Sequence, residues 1–225
     1  MQNTKKAGSP KKVEKGSYVE IEYELYAENE EITKQNAKII AGNNEIIAGI
    51  DEALEGMEEG NEKKLLLKPE KAFGLRSNEL IRIIPIKNFH EQKINPFPGL
   101  IIDANGLKGK VISVSGGRVK VDFNHPLANK EIEAKIKVKK IFSNKEAVEE
   151  ICKEILSNEI LKEFKLNWNV KLNNGNVKVE IELPPTIDIE KWNSFWKEIK
   201  KIIEERIRAL KGIEKIEISA EIKKG

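Results

Sequence analysis

Apolar and charged residues alternate along several short stretches of this 225-residue chain. Between Ser17 and Ala27, four apolar side chains (Val19, Ile21, Tyr23 and Leu25) alternate with glutamates, which predicts a half-buried β-strand. The same alternation over residues 131–142 predicts a second strand, and residues 62–68 predict a third that ends at a proline. Residues 29–35 are mostly polar and are predicted to form a turn.

The segment Ile46–Gly60 has a helical spacing instead. Its apolar residues Ile50, Ala53, Leu54 and Met57 follow one another at i, i+3, i+4 and i+7, which predicts one short amphipathic helix. Asp51, Glu52, Glu55 and Glu58 are expected to face water, and Gly56 is expected to end the helix. Such a pattern alone is more typical of a core element than of a binding site.

Residues 76–128 contain four prolines and short β-rich pieces at 100–102, 110–114 and 118–123. Gly116 and Gly117 are predicted to join the last two pieces in a tight hairpin, because both positions tolerate positive φ. The segment therefore has the character of a small β subdomain inserted into a host domain.

The chain from Ser143 onward follows a different order of elements. A capping box at Ser143 and Glu146 predicts a helix, two alternating strands follow, and a long helix is expected from about Asp188 before a last strand. This α-β-β-α-β order predicts one sheet with helices on a single face. Cys152 lies in the apolar stripe of the first helix and is interpreted as a core thiol.

Composition excludes several classes of protein and site. Hydrophobic residues make up 39% and charged residues 34% of the chain, and no run is long enough to span a membrane. We expect no signal peptide, a cytoplasmic location because of the single cysteine, and no metal or cofactor because only two histidines are present. A net charge of +3 with interleaved signs argues against nucleic acid as a partner.

Four motifs occur in an informative order. They are Val19-Glu20-Ile21-Glu22-Tyr23, the segment Ile46–Met57, Ala72-Phe73-Gly74, and Val121-Asp122-Phe123-Asn124-His125-Pro126-Leu127-Ala128. Together they resemble the FKBP-type peptidyl-prolyl isomerases over about residues 16–142, most of all the SlyD-like branch with its long archaeal members. The last motif is the most specific, because it marks the insertion in the flap of that branch.

The resemblance implies an α+β fold: an antiparallel half-barrel over a short helix, an inserted β subdomain and a carboxy-terminal α-β-β-α-β domain. The implied domains are a flexible tail (1–15), an FKBP domain (16–86 plus 128–142), an insert-in-flap domain (87–127) and a carboxy-terminal domain (143–225).

The resemblance also implies a proline pocket formed by Tyr23, Ile46, Ile47, Ile50 and Phe73. Ile50 would form the floor, Ile46 and Ile47 the entrance, and Ile47 would supply a backbone donor. Three positions depart from the family pattern: Thr33 stands where an acidic residue is usual, Phe73 replaces a tyrosine, and Ala134 replaces a phenylalanine wall. A lost donor and a lost wall each cost roughly 1–3 kcal/mol of transition-state binding, which predicts reduced activity.

In the SlyD-like branch the insert holds unfolded chains, which here implicates Ile86, Phe89, Phe97, Leu100 and Ile101. The implied partners are proline-containing peptides and unfolded or nascent proteins. The first hypothesis is a prolyl isomerase and folding factor; the alternative is a chaperone or peptide-binding module with a decayed pocket. A third hypothesis makes the carboxy-terminal domain a homodimerisation module, because Trp192, Phe195 and Trp196 share a helix.

Overall fold

The computed structural model describes residues 11–104, 106–157 and 162–222. Its elements, in chain order, are β1 (Tyr18–Ala27), β2 (Glu30–Ile40), α1 (Ala48–Leu54), β3 (Glu62–Leu67), β4 (Ile81–Pro85), α2 (Ile86–Glu91), β5 (Ile101–Ala104), β6 (Leu107–Ser115), β7 (Arg118–Asp122), β8 (Ile132–Ile141), α3 (Asn144–Leu156), β9 (Asn167–Asn173), β10 (Asn176–Leu183), α4 (Ile189–Arg208) and β11 (Lys215–Ile222). None of the helices in these ranges is long and apolar enough to cross a membrane. The described residues form two compact units, one with residues 11–24, 33–64 and those from 135 onward, the other with residues 25–32 and 65–134.

The first sheet, which we call the FKBP sheet after the resemblance, has four strands in the order β2-β1-β8-β3. Residues just before β1 also belong to the fold: the Val13 N–H donates to the Met57 carbonyl at 2.8 Å, and the Val13 side chain is fully buried. The predicted tail of residues 1–15 is therefore wrong for residues 11–15, because these backbone bonds and the burial of Val13 fix them to the segment after α1. Residues 1–10 lie outside the described residues.

The predicted polar turn over residues 29–35 is wrong for residues 30–35, because these residues lie in β2. Only Glu28 and Asn29 form the turn, with φ values of 54° and 66°, as tight hairpin turns require. The polar side chains of β2 bond to residues of β1: Glu31 to Tyr26, Lys34 to Glu24, and Gln35 to Tyr23. Because the side chains of β2 are polar and pair with β1, the strand lacks the alternation of apolar and polar residues from which strands are predicted.

The short helix α1 forms as predicted but ends at Leu54, before Met57. Asp51 does not face water as expected; its side chain is only 6% exposed. Its two carboxylate oxygens accept hydrogen bonds from the Gly42 N–H at 2.7 Å and the Asn44 N–H at 3.0 Å. Asp51 therefore satisfies the backbone of the preceding loop, which no helical periodicity could reveal.

The insert forms a four-stranded sheet in the order β4-β7-β6-β5 over its own core of Phe89, Val111, Val119, Val121 and Phe123. The predicted Gly116-Gly117 hairpin is confirmed, with φ values of 56° and 72°. β4 pairs with β7, so this sheet begins six residues before the predicted boundary at residue 87. In β6, a Cβ on Gly109 would come within 2.6 Å of the Phe123 ring, so glycine lets that ring pack against the strand.

The carboxy-terminal elements occur in the predicted α-β-β-α-β order, with sheet order β11-β10-β9. The Ser143–Glu146 capping box begins α3, and the Asp188 side chain caps α4. Buried residues of both helices join the inward residues of the sheet in one core cluster. That cluster also contains Tyr18 and Ile40 of the FKBP sheet, so residues on both sides of position 142 share one core.

Candidate functional site

The segment that precedes α1 presents two partly exposed β-branched side chains, Ile46 and Ile47, and a backbone donor. The Ile47 carbonyl accepts hydrogen bonds from the N–H groups of Ile50 at 2.9 Å and Asp51 at 3.1 Å. The Ile47 N–H, in contrast, has no acceptor among the described residues. This short segment therefore offers an apolar surface beside a free backbone N–H.

Ile50 lies in the first turn of α1 and is completely buried. Its side chain is apolar, as the floor of a proline pocket requires, but solvent does not reach it. A proline ring could contact Ile50 only after the residues covering it moved. In this structure Ile46 and Ile47 are the members of the segment that a ligand could reach directly.

Tyr23 is half-buried on β1, and its phenolic oxygen accepts a hydrogen bond from the Gln35 side-chain amide at 2.5 Å. Gln35 and Thr33 lie on the same face of β2, because side chains alternate along a strand. The polar partner of Tyr23 is therefore Gln35, two residues beyond Thr33, the position where the family pattern usually has an acidic residue. The sequence analysis missed Gln35 because it predicted a turn here, and the polar residues of β2 show no apolar alternation that would indicate a strand.

Phe73 follows a short 3₁₀ turn (Pro69–Lys71) and stacks on His125. The two ring centroids are 4.4 Å apart and the rings are nearly parallel, at 2°. The His125 Nδ1 accepts a hydrogen bond from the Leu127 N–H at 3.2 Å, which fixes the orientation of the imidazole. The sequence analysis named His125 only as a member of the last family motif. That motif does not indicate that the imidazole contacts Phe73, so the contact was missed.

Asp122 and Asn124, which belong to the same motif as His125, form a network of hydrogen bonds. The Asn124 side chain accepts from the Ser77 N–H at 2.7 Å and donates to the Ser77 carbonyl at 2.9 Å. Asp122 accepts from the Asn124 backbone and side chain and pairs with Arg76. Burial alone would raise the pKa of Asp122, but the hydrogen bonds from Asn124 and the charge of Arg76 lower the pKa below its ordinary value. The charged carboxylate therefore holds the motif in place.

Ala134 on β8 is only 1% exposed. The sequence comparison identified it as the site of a lost phenylalanine wall. A phenylalanine at this position would have to displace packed neighbours, which typically costs about 1–3 kcal/mol. The small side chain is thus part of a filled interior.

The five predicted client-contact residues of the insert differ in exposure. Phe97 and Ile101 are 57% and 58% exposed, and Ile86 and Leu100 are half-buried. Phe89 is only 5% exposed and lies in the insert core, so its predicted contact with clients is wrong: the ring is already used in packing. Ile83 and Leu107, which were not selected, are 63% and 43% exposed.

Three other expectations concern the rest of the chain. Burial raises the pKa of the Cys152 thiol to about 12, and the residue lies in the carboxy-terminal core, as predicted. Within the described ranges, no group of three or more His, Cys, Asp or Glu side chains could hold a metal ion. Trp192, which motivated the dimer hypothesis, is 2% exposed and stacks on Trp196 at 5.4 Å, so its ring is part of the core; homodimerisation stays a prediction.

Comparison with protein families gives two adjoining matches. Residues 9–90 match the family model of FKBP-type peptidyl-prolyl cis-trans isomerase, and residues 82–127 match the model of the FKBP26 IF domain. The chain therefore combines a sheet of the FKBP type with an inserted four-stranded sheet of the IF type, as the fold prediction stated.

Curated relatives are similar to about a third of this chain. The chain is 42% identical over 82 residues to the short-type peptidyl-prolyl cis-trans isomerase of Methanocaldococcus jannaschii, which is 36% of this chain and 52% of that protein. It is 33% identical over 78 residues to a probable FKBP-type 16 kDa peptidyl-prolyl cis-trans isomerase of Pseudomonas fluorescens, covering 32% of this chain and 51% of that protein. It is 31% identical over 87 residues to the FKBP-type 16 kDa isomerase of Escherichia coli, covering 36% and 58%. The chain thus spans about half the length of the curated relatives it matches.

Proposed function

We propose that this chain, with its FKBP-type sheet and IF-type insert, is a peptidyl-prolyl cis-trans isomerase of reduced activity and a protein-folding factor. We place it with the long archaeal members of the SlyD-like branch. The observation that carries the proposal is that the region similar to FKBP-type isomerases, residues 9–90, includes all of the predicted pocket residues, Tyr23, Ile46, Ile47, Ile50 and Phe73.

The proposed mechanism needs neither a nucleophile nor a metal. Rotation about an X-Pro amide crosses a barrier of about 18–20 kcal/mol, and the twisted amide has less charge separation than the planar one. A dry apolar surface favours the twisted form, because it solvates the planar amide poorly. Ile46 and Ile47 supply that surface, and the free Ile47 N–H can donate to a carbonyl of the bound peptide.

Reduced activity follows from two features of the site. Ile50 is covered, so part of the binding free energy must be used to expose the floor before the proline ring can bind. Phe73 has no hydroxyl group to donate to the substrate, and its ring already stacks on His125.

Refolding of a protein limited by proline isomerisation tests the activity. We expect micromolar amounts of this chain to accelerate the slow refolding phase, and the absence of any acceleration would disprove the isomerase proposal. Tyr23→Phe should reduce the acceleration severalfold, because it removes a polar group at the site while the ring remains. Tyr26→Phe removes a hydroxyl from the same strand, where it contacts Glu31, and should leave the acceleration unchanged.

Gln35→Glu is the sharper gain-of-function variant. It is isosteric and places a carboxylate beside the Tyr23 hydroxyl, whereas Thr33→Asp acts at the position inferred from the family pattern. We expect Gln35→Glu to raise the catalysed rate more than Thr33→Asp. Phe73→Tyr should also raise the rate, while Ala134→Phe should fail to do so because its site is filled.

The second candidate function is binding of unfolded chains by the insert. Its support is the match to the IF domain together with the exposed apolar residues Phe97 and Ile101. Full-length protein should suppress the aggregation of a denatured client, and Phe97→Ser/Ile101→Ser should lose much of this effect while retaining isomerase activity. Equal suppression by the double variant would exclude these two residues as the client surface.

A further inference from the structure

The sheet of the insert has an outer face that is cationic rather than charge-paired. The inner face packs on the core that contains Val119 and Val121 of β7. Residues directly opposite one another in neighbouring strands lie on the same face. The remaining positions of β6 and β7 therefore form the outer face, and four exposed cations lie there: Lys108, Lys110, Arg118 and Lys120.

The register places isoleucines at both ends of this cationic face. Lys120 on β7 is opposite Ile83 on β4 and Ser113 on β6. Lys110 on β6 is opposite Ile101 on β5. Both isoleucines lie on edge strands and are among the most exposed large apolar residues of the described chain, at 63% and 58%. Cationic side chains in the centre are thus flanked by apolar side chains at the edges.

The other two sheets of the molecule have outer faces on which charges are paired. On the FKBP sheet, the partners are Glu22–Lys139, Glu24–Lys34, Glu24–Lys135 and Glu62–Lys137. On the carboxy-terminal sheet, Glu180 pairs with Lys171 at 2.8 Å and Lys178 at 2.9 Å, and these lysines lower the pKa of Glu180 to about 2. On the insert face, Asp122 is opposite Lys110 and Asp103 is opposite Lys108, but within the described ranges none of the four cations forms an ion pair with an acidic residue.

The acidic residues of the insert have partners other than these four cations. Over residues 82–127 the sequence has seven Lys or Arg and three Asp or Glu, so the insert carries +4 while the whole chain carries +3. Asp122 pairs with Arg76, Glu91 pairs with Lys87, and Asp103 accepts from the Gly106 N–H at 2.7 Å. The insert therefore has a local excess of positive charge.

We propose that the insert selects unfolded segments in which acidic side chains lie beside apolar ones, with Lys110 and Lys120 binding the acids and Ile83 and Ile101 the apolar groups. This inference rests on the proposed client-binding function and adds the chemical class of the client. At physiological ionic strength, charges act over about 8 Å, so only acids close to the apolar anchor contribute.

The face fits a polypeptide better than a nucleic acid. Binding of single strands without sequence preference combines a basic groove with aromatic rings on which bases stack. The strand residues of this outer face are isoleucine, serine and charged residues, with no aromatic ring among them. Apolar anchors beside cations match the side chains of an acidic, partly apolar segment.

Fluorescence anisotropy with three labelled unfolded peptides tests the proposal on the full-length protein. The peptides share one apolar core and differ in flanks of Glu, Gln or Lys. We expect the Glu-flanked peptide to bind about tenfold more tightly than the Gln-flanked peptide at low salt, because several exposed ion pairs can form and each contributes only a small gain in affinity. The preference should weaken as salt is raised.

Paired variants locate the effect. K110Q/K120Q should abolish the preference for the Glu flanks and leave binding of the Gln-flanked peptide unchanged. K87Q/K93Q removes the same charge from the insert outside this sheet and should keep the preference. Equal binding of the Glu-flanked and Gln-flanked peptides, or equal loss in both double variants, would overturn the inference while client binding stands.

Two further outcomes distinguish failure of the proposed preference for acidic segments from failure of the client-binding function. Failure of all three peptides to bind would overturn the client-binding function itself. A single-stranded RNA that binds more tightly than the Glu-flanked peptide and loses affinity in K110Q/K120Q would overturn the inference in favour of a nucleic-acid surface.

Discussion

The insert and the carboxy-terminal region are both additions to the FKBP sheet. They differ in how far their charged and apolar side chains are paired or buried within the chain. The carboxy-terminal region shares a core with Tyr18 and Ile40, and its charges are paired across the contact, as between Glu150 and Lys38. The insert has a small core of its own and leaves cations and isoleucines exposed. A region whose charged and apolar side chains contact the rest of the chain stabilises the fold. A region that leaves such side chains exposed can bind a partner with them.

Removal of residues 143–225 should give the largest effect. It would expose Tyr18 and Ile40, which are 1% and 0% exposed, and would break the 2.8 Å hydrogen bond from the Tyr18 hydroxyl to Glu154. Re-exposing two large side chains should reduce the free energy of unfolding by about 3–6 kcal/mol, a large part of the 5–15 kcal/mol typical of a domain.

Urea unfolding followed by far-UV circular dichroism measures this loss, because all three tryptophans lie in the removed region. As a control, residues 83–120 can be replaced by Asn-Gly, which closes the hairpin between Arg82 and Val121, residues that are paired in the sheet. This chain should lose less stability than the truncated one. An equal or larger loss would show that the insert, too, supports the fold.

The two phenylalanines of the insert should separate stability from binding. Phe89→Ala removes a buried ring and should destabilise the insert by about 3–5 kcal/mol. Phe97→Ala changes a ring that is 57% exposed and should alter stability by less than about 0.5 kcal/mol while weakening client binding. Chemical denaturation and peptide anisotropy on the same samples check both expectations; a stability loss in Phe97→Ala would place that ring in the core.

Arg206 on α4 links the carboxy-terminal region to the loop that leads to Ile46. Its guanidinium lies 3.3 Å from Glu45 and 3.7 Å from Glu154, and its Nε is buried without a partner in the described residues. Arg206→Met should reduce the free energy of unfolding by about 1–2 kcal/mol, since two partly buried carboxylates lose their cation.

The matched control for Arg206 lies on the same helix. Lys201 forms a 3.8 Å pair with Glu205 in which both side chains are mostly exposed. Lys201→Met should change the free energy of unfolding by less than about 0.5 kcal/mol. Equal effects of the two variants in thermal unfolding would show that the contact made by Arg206 adds no more than a surface pair.

The elements of the fold that could be predicted are those with local signals. The Ser143–Glu146 capping box, the Gly116-Gly117 turn and the alternation of β10 each depend on neighbouring residues, and each was confirmed. β2 was missed because its polar side chains are satisfied by β1, and Asp51 was misplaced because its partners are backbone groups of another segment. Such features depend on contacts that no periodicity encodes.

The residues of the candidate site also fall into those that local motifs indicate and those that depend on distant contacts. Ile46, Ile47 and Phe73 were predicted as site residues because the motifs around them are contiguous in the sequence. Gln35 and His125 acquire their roles only through contacts with Tyr23 and Phe73, residues that are far away along the chain. Burial decided the remaining cases: the complete burial of Ile50 and Ala134 could not be deduced from residue type.

The smallest expected effect concerns acid stability at the start of α3, where the carboxy-terminal region begins. The Glu146 carboxylate accepts hydrogen bonds from the Ser143 N–H and side chain and pairs with Lys140 at 2.9 Å. The bond from the Ser143 backbone is the main cause that lowers the pKa of Glu146 to about 2, and Lys140 adds to it. Because the folded-state pKa lies below the ordinary value of 4.5, the contribution of Glu146 is complete above pH 4.5 and is lost as the pH falls towards 2.

Glu146→Gln should therefore flatten the acid side of the stability profile. Urea midpoints measured between pH 5 and pH 2.5 should fall less steeply for Glu146→Gln than for the wild-type chain. Glu149→Gln removes a carboxylate of the same helix that forms only a 3.8 Å pair with Lys145, and it should keep the wild-type slope. Asp103→Asn changes an insert carboxylate whose hydrogen bond comes from the Gly106 N–H, and it should also leave this slope unchanged; a flattened slope in Asp103→Asn would show that the effect is not specific to the cap of α3.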